Sequence, residues 1–400
     1  MLRDKRILLG VGGGIAAYRA AELARLLKHE GAQVRCVLTR AAQRFVAPLT
    51  FEALTGTSAH TDLFDLTRER EMGHIRLARE ADMLLVAPAT AHLMARFAHG
   101  LADDLLSTIF LAADNLPVLL APAMNRAMWQ AEATQRNRQC LAAQGVHFVG
   151  PECGALACGE EGEGRMSEPV RILAHARLLC ADKPLLGQRW LVNAGRTEEP
   201  WDDVRTLSNR ASGRLGLYLA EEAVVAGAEV TFVAGPGVPS SPLPMRRIDV
   251  CTARQMHAVC CAQASDCDVF VATAAVSDYR VASPVRGKLK RKGGGETVTL
   301  ELVENPDIVA DVARMPQRPG KVIACAAERA HHLQHAQRKR TAKRVDAIFV
   351  NDAARMGDVR GGGWWLSAGG VVELSEMDKR ALAARLIELI RRMEEEHDAS

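Results

Sequence analysis

RILLGVGGGIAAYRAAELARLLKHEG, residues 6–31, announces how the rest of the chain is built. Its first six residues, RILLGV, form an apolar run of strand length. A glycine loop follows, with Gly10, Gly12, Gly13 and Gly14, and then IAAYRAAELARLLKHEG reads as a helix with small and apolar residues facing a sheet. Gly31 supplies the stop. Strand, glycine loop and helix in that order predict the first unit of a parallel α/β sheet.

The same rhythm continues outward. QVRCVLT, DMLLVAP, PVLLAP and VHFVG are short strands separated by helical lengths, the pattern of a doubly wound sheet with right-handed crossovers. It restarts after HARLLCADKPLLGQ. RWLVNAG is a strand, LGLYLAEEAVVAGA a helix, and EVTFVAG, DVFVATAAV, KVIACAA and DAIFVN are further strands. WWLSAGGVVEL reads as an edge hairpin and EMDKRALAARLIELIRRMEEE as a closing amphipathic helix. The expected fold class is α/β, with two Rossmann-like doubly wound domains and mainly parallel sheets. Their spans are 1–180 and 189–400, joined by a linker at 181–188 where Asp, Lys, Pro and Gly cluster.

Composition narrows the functional classes. An apolar content of 48% and a charged content of 25% are those of a globular protein. A formal charge of +3 and 4% aromatic residues give little support to a nucleic-acid surface, although RGKLKRK (286–292) and QRKRTAKR (337–344) are strongly basic. The longest greasy stretch, LLSTIFLAADNLPVLLAPAM, is broken by Asp114, Asn115 and Pro117, so no membrane span is expected. MLRDKRILLG runs straight into the glycine loop without a signal-peptide cleavage region, and a cytoplasmic location is expected. Ten cysteines without a C-x-x-C indicate neither a disulfide framework nor a zinc site.

Four places carry candidate chemistry in the first half. GVGGGIAAY lets backbone amides and a helix N-terminus approach an anion. It lacks the G-x-G-x-x-G spacing, so a mononucleotide phosphate such as a flavin's is compatible, and so is a plain tight turn. APAMNRAMW (121–129) puts Asn125 where a strand ends, either as a turn residue or as an amide that reads a carboxylate at the sheet's ligand-binding edge. His74 in MGHI reads as a packed or surface histidine, with a general base as the alternative. Cys158 in CGALACGEEGEGRM lies in a segment read as a mobile flap that can bring a thiol to a substrate; an ordinary exposed cysteine is the alternative.

GGIAAY, GHI, PAMNRAMW and LACGEEGEGRM together resemble the flavin-containing cysteine decarboxylases, and P-x-M-N-x-x-M-W is a long, rare motif. SNRASGRLG, AAVSDYR, GKLKRK and ENPDIVA in the second half resemble phosphopantothenate–cysteine ligases. Over nearly its whole length the chain is similar to the bacterial bifunctional family of coenzyme A synthesis that fuses the two. The resemblance implies CTP-dependent condensation of 4'-phosphopantothenate with cysteine through an acyl-cytidylate. FMN-dependent decarboxylation of 4'-phosphopantothenoylcysteine to 4'-phosphopantetheine then follows. It further implies that Asn125 holds the substrate carboxylate, His74 is the base that assists thiol oxidation, and Cys158 protonates the enethiolate. FMN is expected on Gly12, Gly13, Gly14, Ile15 and Ala16, with Thr39, Ser107 and Thr108 nearby.

In the second half the resemblance implies Asn209 at the acyl-cytidylate carbonyl, with an N-cap or Asx-turn as the reading from the residue alone. Lys288 is implied in catalysis. Asp278, Pro306, Asp307, Ile308, Val309, Cys325, Lys339 and Lys343 are implied at the nucleotide, the two lysines on one helical face at the phosphates. Ser212, Gly213 and Gly216 have the layout of an anion nest for a substrate phosphate. Mg2+ is expected with the triphosphate, its ligands unassigned. By analogy the protein is a homo-oligomer, with trimers of the first domain, dimers of the second and a dodecamer overall. The chain departs from the family pattern at Gly12 (usually serine), Cys325 (an aromatic), Arg329 (commonly threonine) and GRTEEPW (more usually G-P-T-R-E-P). The competing reading is a peptidyl-cysteine decarboxylase whose second domain is only an assembly module.

Overall fold

The computed structural model describes residues 2–63, 73–155, 159, 161–290, 297–328, 332–352 and 360–398. The chain divides into two units, Met1–Ala181 and Asp182–Ser400. The first is built on five parallel strands, β1 (Arg6–Val11), β2 (Gln33–Leu38), β3 (Met83–Ala89), β4 (Val118–Pro122) and β5 (His147–Phe148). Their order across the sheet is β2-β1-β3-β4-β5. Between and after them run α1 (Ala17–His29), α2 (Pro48–Thr55), α3 (Gly73–Glu80), α4 (Ala91–Ala98), α5 (Leu105–Ala112), α6 (Arg126–Gln130), α7 (Glu132–Ala143) and α8 (Pro169–Cys180). An antiparallel ribbon, β6 (Glu152–Ala155) with β7 (Glu161–Arg165), leads into α8.

The central strands are apolar on both faces because helices cover both. Ile7, Leu9, Val11, Leu85 and Leu119 join one buried cluster with Leu23 and Leu27 of α1 and Ile172 of α8. Leu8, Leu84, Val86 and Leu120 join the other with Leu93 and Phe97 of α4 and Leu106 and Ile109 of α5. Each fully buried Leu or Ile contributes about 1.5–3 kcal/mol against exposure, so this two-sided core fixes the register that puts the strand ends level.

The second unit carries an eight-stranded sheet ordered β12-β11-β8-β13-β16-β17-β18-β19. Here β8 is Arg189–Ala194, β11 Glu229–Ala234, β12 Arg246–Asp249, β13 Val269–Ala272, β16 Lys321–Glu328, β17 Ala347–Asp352, β18 Arg360–Ser367 and β19 Gly370–Asp378. The first six strands in that order are parallel, and β18 and β19 are the antiparallel edge hairpin. Two small ribbons, β9 (Glu198–Pro200) with β10 (Thr206–Ser208) and β14 (Tyr279–Val281) with β15 (Leu302–Glu304), stand outside it. The helices are α9 (Arg214–Val225), α10 (Ala253–Ala264), α11 (Ile308–Ala313), α12 (His332–Lys343) and the closing α13 (Lys379–Asp398). Arg380 fastens α13 to α9: it binds Glu221 at 2.6 Å and Glu222 at 3.2 Å and lies 4.4 Å from the centre of the Tyr218 ring. Both glutamates are buried, so losing Arg380 would strand two carboxylates away from water.

Both sheets match the expected class. The short ribbons and the charged edge strand RRID were not read from the sequence, since strands of two to five residues show no periodicity. Among the described residues no helix is long and apolar enough to cross a membrane.

Candidate functional sites

In a sheet ordered 2-1-3-4-5 the crevice forms at the carboxyl ends of the first and third strands, where the winding reverses. A cavity of about 710 Å³ opens there. One wall is the glycine loop, with Gly13, Gly14, Ile15 and Ala16. Ala16 is the N-cap of α1 and no side chain caps that helix, so the positive end of thirteen residues of helix borders the cavity. Thr90, just past β3, lines the same space, and its hydroxyl accepts from Leu93 N at 3.2 Å to start α4.

Asn125 lies at the exit of β4 and on the cavity wall. It is the N-cap of α6, its Oδ1 accepting from Ala127 N at 2.7 Å. The turn reading and the ligand reading are therefore compatible. With Oδ1 serving the cap, the amide nitrogen is the end of the side chain whose chemistry suits a carboxylate.

The ribbon β6–β7 is rooted on this loop. Met124 N donates to Gly164 O at 2.9 Å. A β-carbon on Gly164, whose φ is +150°, would lie 2.3 Å from Met124 O. Only glycine lets the two backbones touch, which explains a glycine-rich, acidic segment beside a binding loop. The base of the segment expected to be a flap is thus an ordered ribbon, and Ala155, Gly164, Arg165 and Met166 complete the wall. Cys158 lies outside the described residues. Glu168 receives both arginines of the cavity, Arg19 Nη1 at 2.9 Å and Arg165. The hydrogen bond from Arg19, helped by Arg165, holds the Glu168 carboxyl below its ordinary range.

Other residues expected at the flavin serve the backbone and do not line this cavity. Thr39 is buried, its hydroxyl donating to Val11 O at 3.3 Å and accepting from Ala42 N at 3.1 Å. Ser107 closes a capping box with Asp104, and the Thr108 hydroxyl donates to Asp104 O at 2.7 Å. Gly12 N donates to Pro88 O at 3.2 Å, and a β-carbon there would lie 2.2 Å from that oxygen. In this backbone position 12 has no room for the serine common in the family. His74, second residue of α3, is half-buried; its Nδ1 is buried without a hydrogen-bond partner among the described residues, and the ring does not reach this cavity. Arg19, Thr90 and His92, which do line it, were not singled out in the sequence, and Tyr18, Met128 and Arg165 entered only as members of GGIAAY, PAMNRAMW and LACGEEGEGRM. For Thr90 a signal existed: a hydroxyl between a buried strand and a helix.

In the second unit a cavity of about 520 Å³ gathers Asp278, Pro306, Asp307, Ile308, Val309, Cys325, Lys339 and Lys343. Asp307 is the N-cap of α11, accepting from Ala310 N at 3.1 Å, and pairs with Lys343 Nζ at 2.9 Å. Cys325 sits midway along β16 on the wall, and desolvation pushes its thiol up to about 12. It is therefore neutral near pH 7 and acts as a small apolar surface where the family carries an aromatic. Arg329 lies outside the described residues.

Asn209 donates through Nδ2 to Ala275 O at 3.2 Å and Val276 O at 3.0 Å, tying its loop to the exit of β13. It caps no helix. The N-cap of α9 is Gly213, at φ +67° and packed on Gly195, next to Ser212. Gly216 is buried, and a β-carbon there would meet Thr273 Oγ1 at 2.1 Å, so its missing side chain serves helix-to-strand packing. Lys288 is exposed and does not line the cavity. Among the described residues no group of three or more His, Cys, Asp and Glu side chains could hold a metal ion.

Comparison with known proteins bears on both units. The Flavoprotein family matches residues 1–177, and the DNA/pantothenate metabolism flavoprotein C-terminal domain family matches residues 185–393. The chain is 43% identical over 353 residues to the coenzyme A biosynthesis bifunctional protein CoaBC of Vibrio vulnificus (strain YJ016), covering 88% of each chain. It is 42% identical over 358 residues to the protein of the same name from Escherichia coli (strain K12), covering 88% of this chain and 87% of that one. A solved C-terminal domain of a coenzyme A biosynthesis bifunctional protein CoaBC is 28% identical with a TM-score of 0.46, covering 54% of this chain and all of that one. Matches that run through both halves leave no place for the reading of the second half as a mere assembly module. The chain belongs to the family of bifunctional coenzyme A biosynthesis proteins, enzymes that join a flavoprotein decarboxylase to a ligase.

Proposed function

We propose that residues 1–180 decarboxylate 4'-phosphopantothenoylcysteine with FMN. Residues 189–400 make that substrate from 4'-phosphopantothenate and cysteine with CTP and Mg2+, and 181–188 link the two. The observation that carries this division is the presence of two cavities, each at the carboxyl edge of its own parallel sheet and each lined by motif residues.

A cavity of about 710 Å³ lies within the range of roughly 300–1,000 Å³ usual for cofactor sites. Ile15, Met124 and Met128 offer apolar surface to a flat ring, and the uncapped start of α1 suits a phosphate. The residues present therefore fit FMN. When bound, FMN supplies the electron sink that an unactivated cysteine carboxylate lacks. Asn125 orients the carboxylate, and the bond between Met124 and Gly164 keeps the ribbon against the same loop. His74, whose ring does not reach the cavity of its own chain, is proposed as the base at the thiol bound by a neighbouring copy in the homo-oligomer, and Cys158 as the acid that returns a proton to carbon.

In the second unit Lys339 and Lys343 supply positive charge for a triphosphate, Lys343 exchanging Asp307 for phosphate. Mg2+ would accompany the triphosphate and offset its charge, and Asp278 and Asp307 are the cavity carboxylates whose hard oxygens would suit it. Asn209 and Lys288 serve the acyl transfer. The cavity lining Ile15, Tyr18 and Met128, 61%, 60% and 49% exposed, supports assembly of the first unit into a homo-oligomer, by analogy a trimer, with dimers of the second unit. A cytoplasmic location fits this metabolic role.

The test is incubation of the purified protein with phosphopantothenate, cysteine, CTP and Mg2+, following CO2 and phosphopantetheine by mass spectrometry. A yellow protein that forms both supports the reading. One that takes up no FMN and releases no CO2 contradicts it.

A further inference from the structure

Lys288 stands 88 positions beyond the end of β9 in sequence, yet its loop is built on the segment that follows β9. Trp201 O accepts from Val285 N at 3.0 Å. Asp203 Oδ2 accepts from Gly287 N at 2.7 Å, and Asp202 Oδ2 from Leu289 N at 3.1 Å. Arg205 Nη2 donates to Leu289 O at 3.3 Å. The backbone is thus held on both sides of Lys288, at 287 and 289, while the lysine itself stays exposed.

Asp202 is the centre of this arrangement. Its side chain is 0% exposed. Oδ1 accepts from Val204 N at 2.8 Å and Arg205 N at 2.7 Å, closing the turn 202–205, and Oδ2 also accepts from Arg205 Nη1 at 3.2 Å. One carboxylate therefore fixes its own turn, the guanidinium beside it and the lysine loop. We propose that Asp202 is a positioning residue for ligation, acting through Lys288 by setting the loop that carries it. The inference rests on the role given to Lys288 above. Only an ionised carboxylate can accept at every one of these points, because an amide would turn two N–H groups toward backbone donors. Desolvation works against that charge, but the N–H groups of Val204, Leu289 and Arg205 outweigh it and keep the carboxyl below its ordinary range.

The experiment measures CTP-dependent condensation by the full-length protein, with a thermal melt followed by circular dichroism, which reports both units, as the check on folding. Asp202→Asn should lower kcat for ligation about 10²-fold, the cost of a misplaced group, with KM for CTP unchanged because Lys339 and Lys343 are untouched. In a Lys288→Gln background it should add no further loss. Asp203→Ala, which removes only the exposed tether to Gly287, should lower kcat by less and again spare KM. A wild-type kcat in Asp202→Asn overturns the proposal, as does a loss that moves into KM or repeats in full on top of Lys288→Gln. If Asp202→Asn does not fold, Asp203→Ala decides, and a wild-type kcat there overturns it. Lys288→Gln ligating at the wild-type rate overturns the role of Lys288 itself. An impaired Lys288→Gln beside unimpaired Asp202→Asn overturns only the positioning.

Discussion

The loop between β1 and α1 and the loop between β8 and α9 use glycine in opposite ways. In the first, Gly13 and Gly14 form the wall of a cavity, and α1 begins without a side-chain cap. In the second, Gly213 and Gly216 bring backbone and helix against Gly195, Thr273 and Ala194. Here the glycines admit neighbouring protein, and the wall of the second cavity comes from elsewhere, with Asp307, Cys325, Lys339 and Lys343. A glycine run therefore marks close approach without saying what approaches. The two cavities share one feature. Each holds cations already answered by a carboxylate, Arg19 and Arg165 by Glu168 in the first and Lys343 by Asp307 in the second. An anion bound in either would have to compete with an internal counter-ion.

The largest effect is expected from filling the contact between β7 and the Asn125 loop. Gly164→Val puts a side chain onto Met124 O, an overpacking that costs about 1–3 kcal/mol locally. Decarboxylation should fall at least tenfold while CTP-dependent ligation stays near wild type. Equal losses in the two assays would show that the sites are not separate.

A smaller effect is expected at Lys343. Loss of a charge-assisted hydrogen bond costs about 1.5–3 kcal/mol, which is roughly ten- to a hundredfold in binding. Lys343→Ala should raise KM for CTP by about that factor and leave decarboxylation unchanged. An unchanged KM would place the triphosphate away from α12.

Glu168 should give the smallest effect. Its folded pKa is depressed, so its stabilisation is present above the ordinary carboxylate pKa of about 4.3 and is lost as pH falls through the folded value. Because the group is 42% exposed, a contribution of about 1 kcal/mol or less is expected. The difference in Tm between wild type and Glu168→Gln should shrink as pH drops below about 4.3. A difference that persists into acid would assign the effect to packing.

Long elements were legible in the sequence because their apolar patterns repeat: β1, β8 and α9 lie within three residues of the spans read for them. That Asp278, Asp307, Cys325, Lys339 and Lys343 would share one place was legible as well, since they sit in motifs that the fold brings to one cavity. Other features were not, for three physical reasons. Hydroxyls such as those of Thr39 and Ser107 serve equally well as ligands or as caps, and only three-dimensional geometry separates the uses. Contacts like that between Asp202 and Leu289 join residues far apart in sequence and leave no periodic trace. The ribbon β6–β7 is too short and too rich in glycine to read as strand, yet a single bond to Met124 orders its base.

The account turns on two chemistries that run in separate cavities and meet through one intermediate. The most direct measurement is the product profile of Asn125→Ala incubated with phosphopantothenate, cysteine, CTP and Mg2+. Accumulation of phosphopantothenoylcysteine without CO2 is the predicted result. Formation of phosphopantetheine at the wild-type rate, or failure to make the intermediate in a folded, flavin-loaded protein, would contradict it.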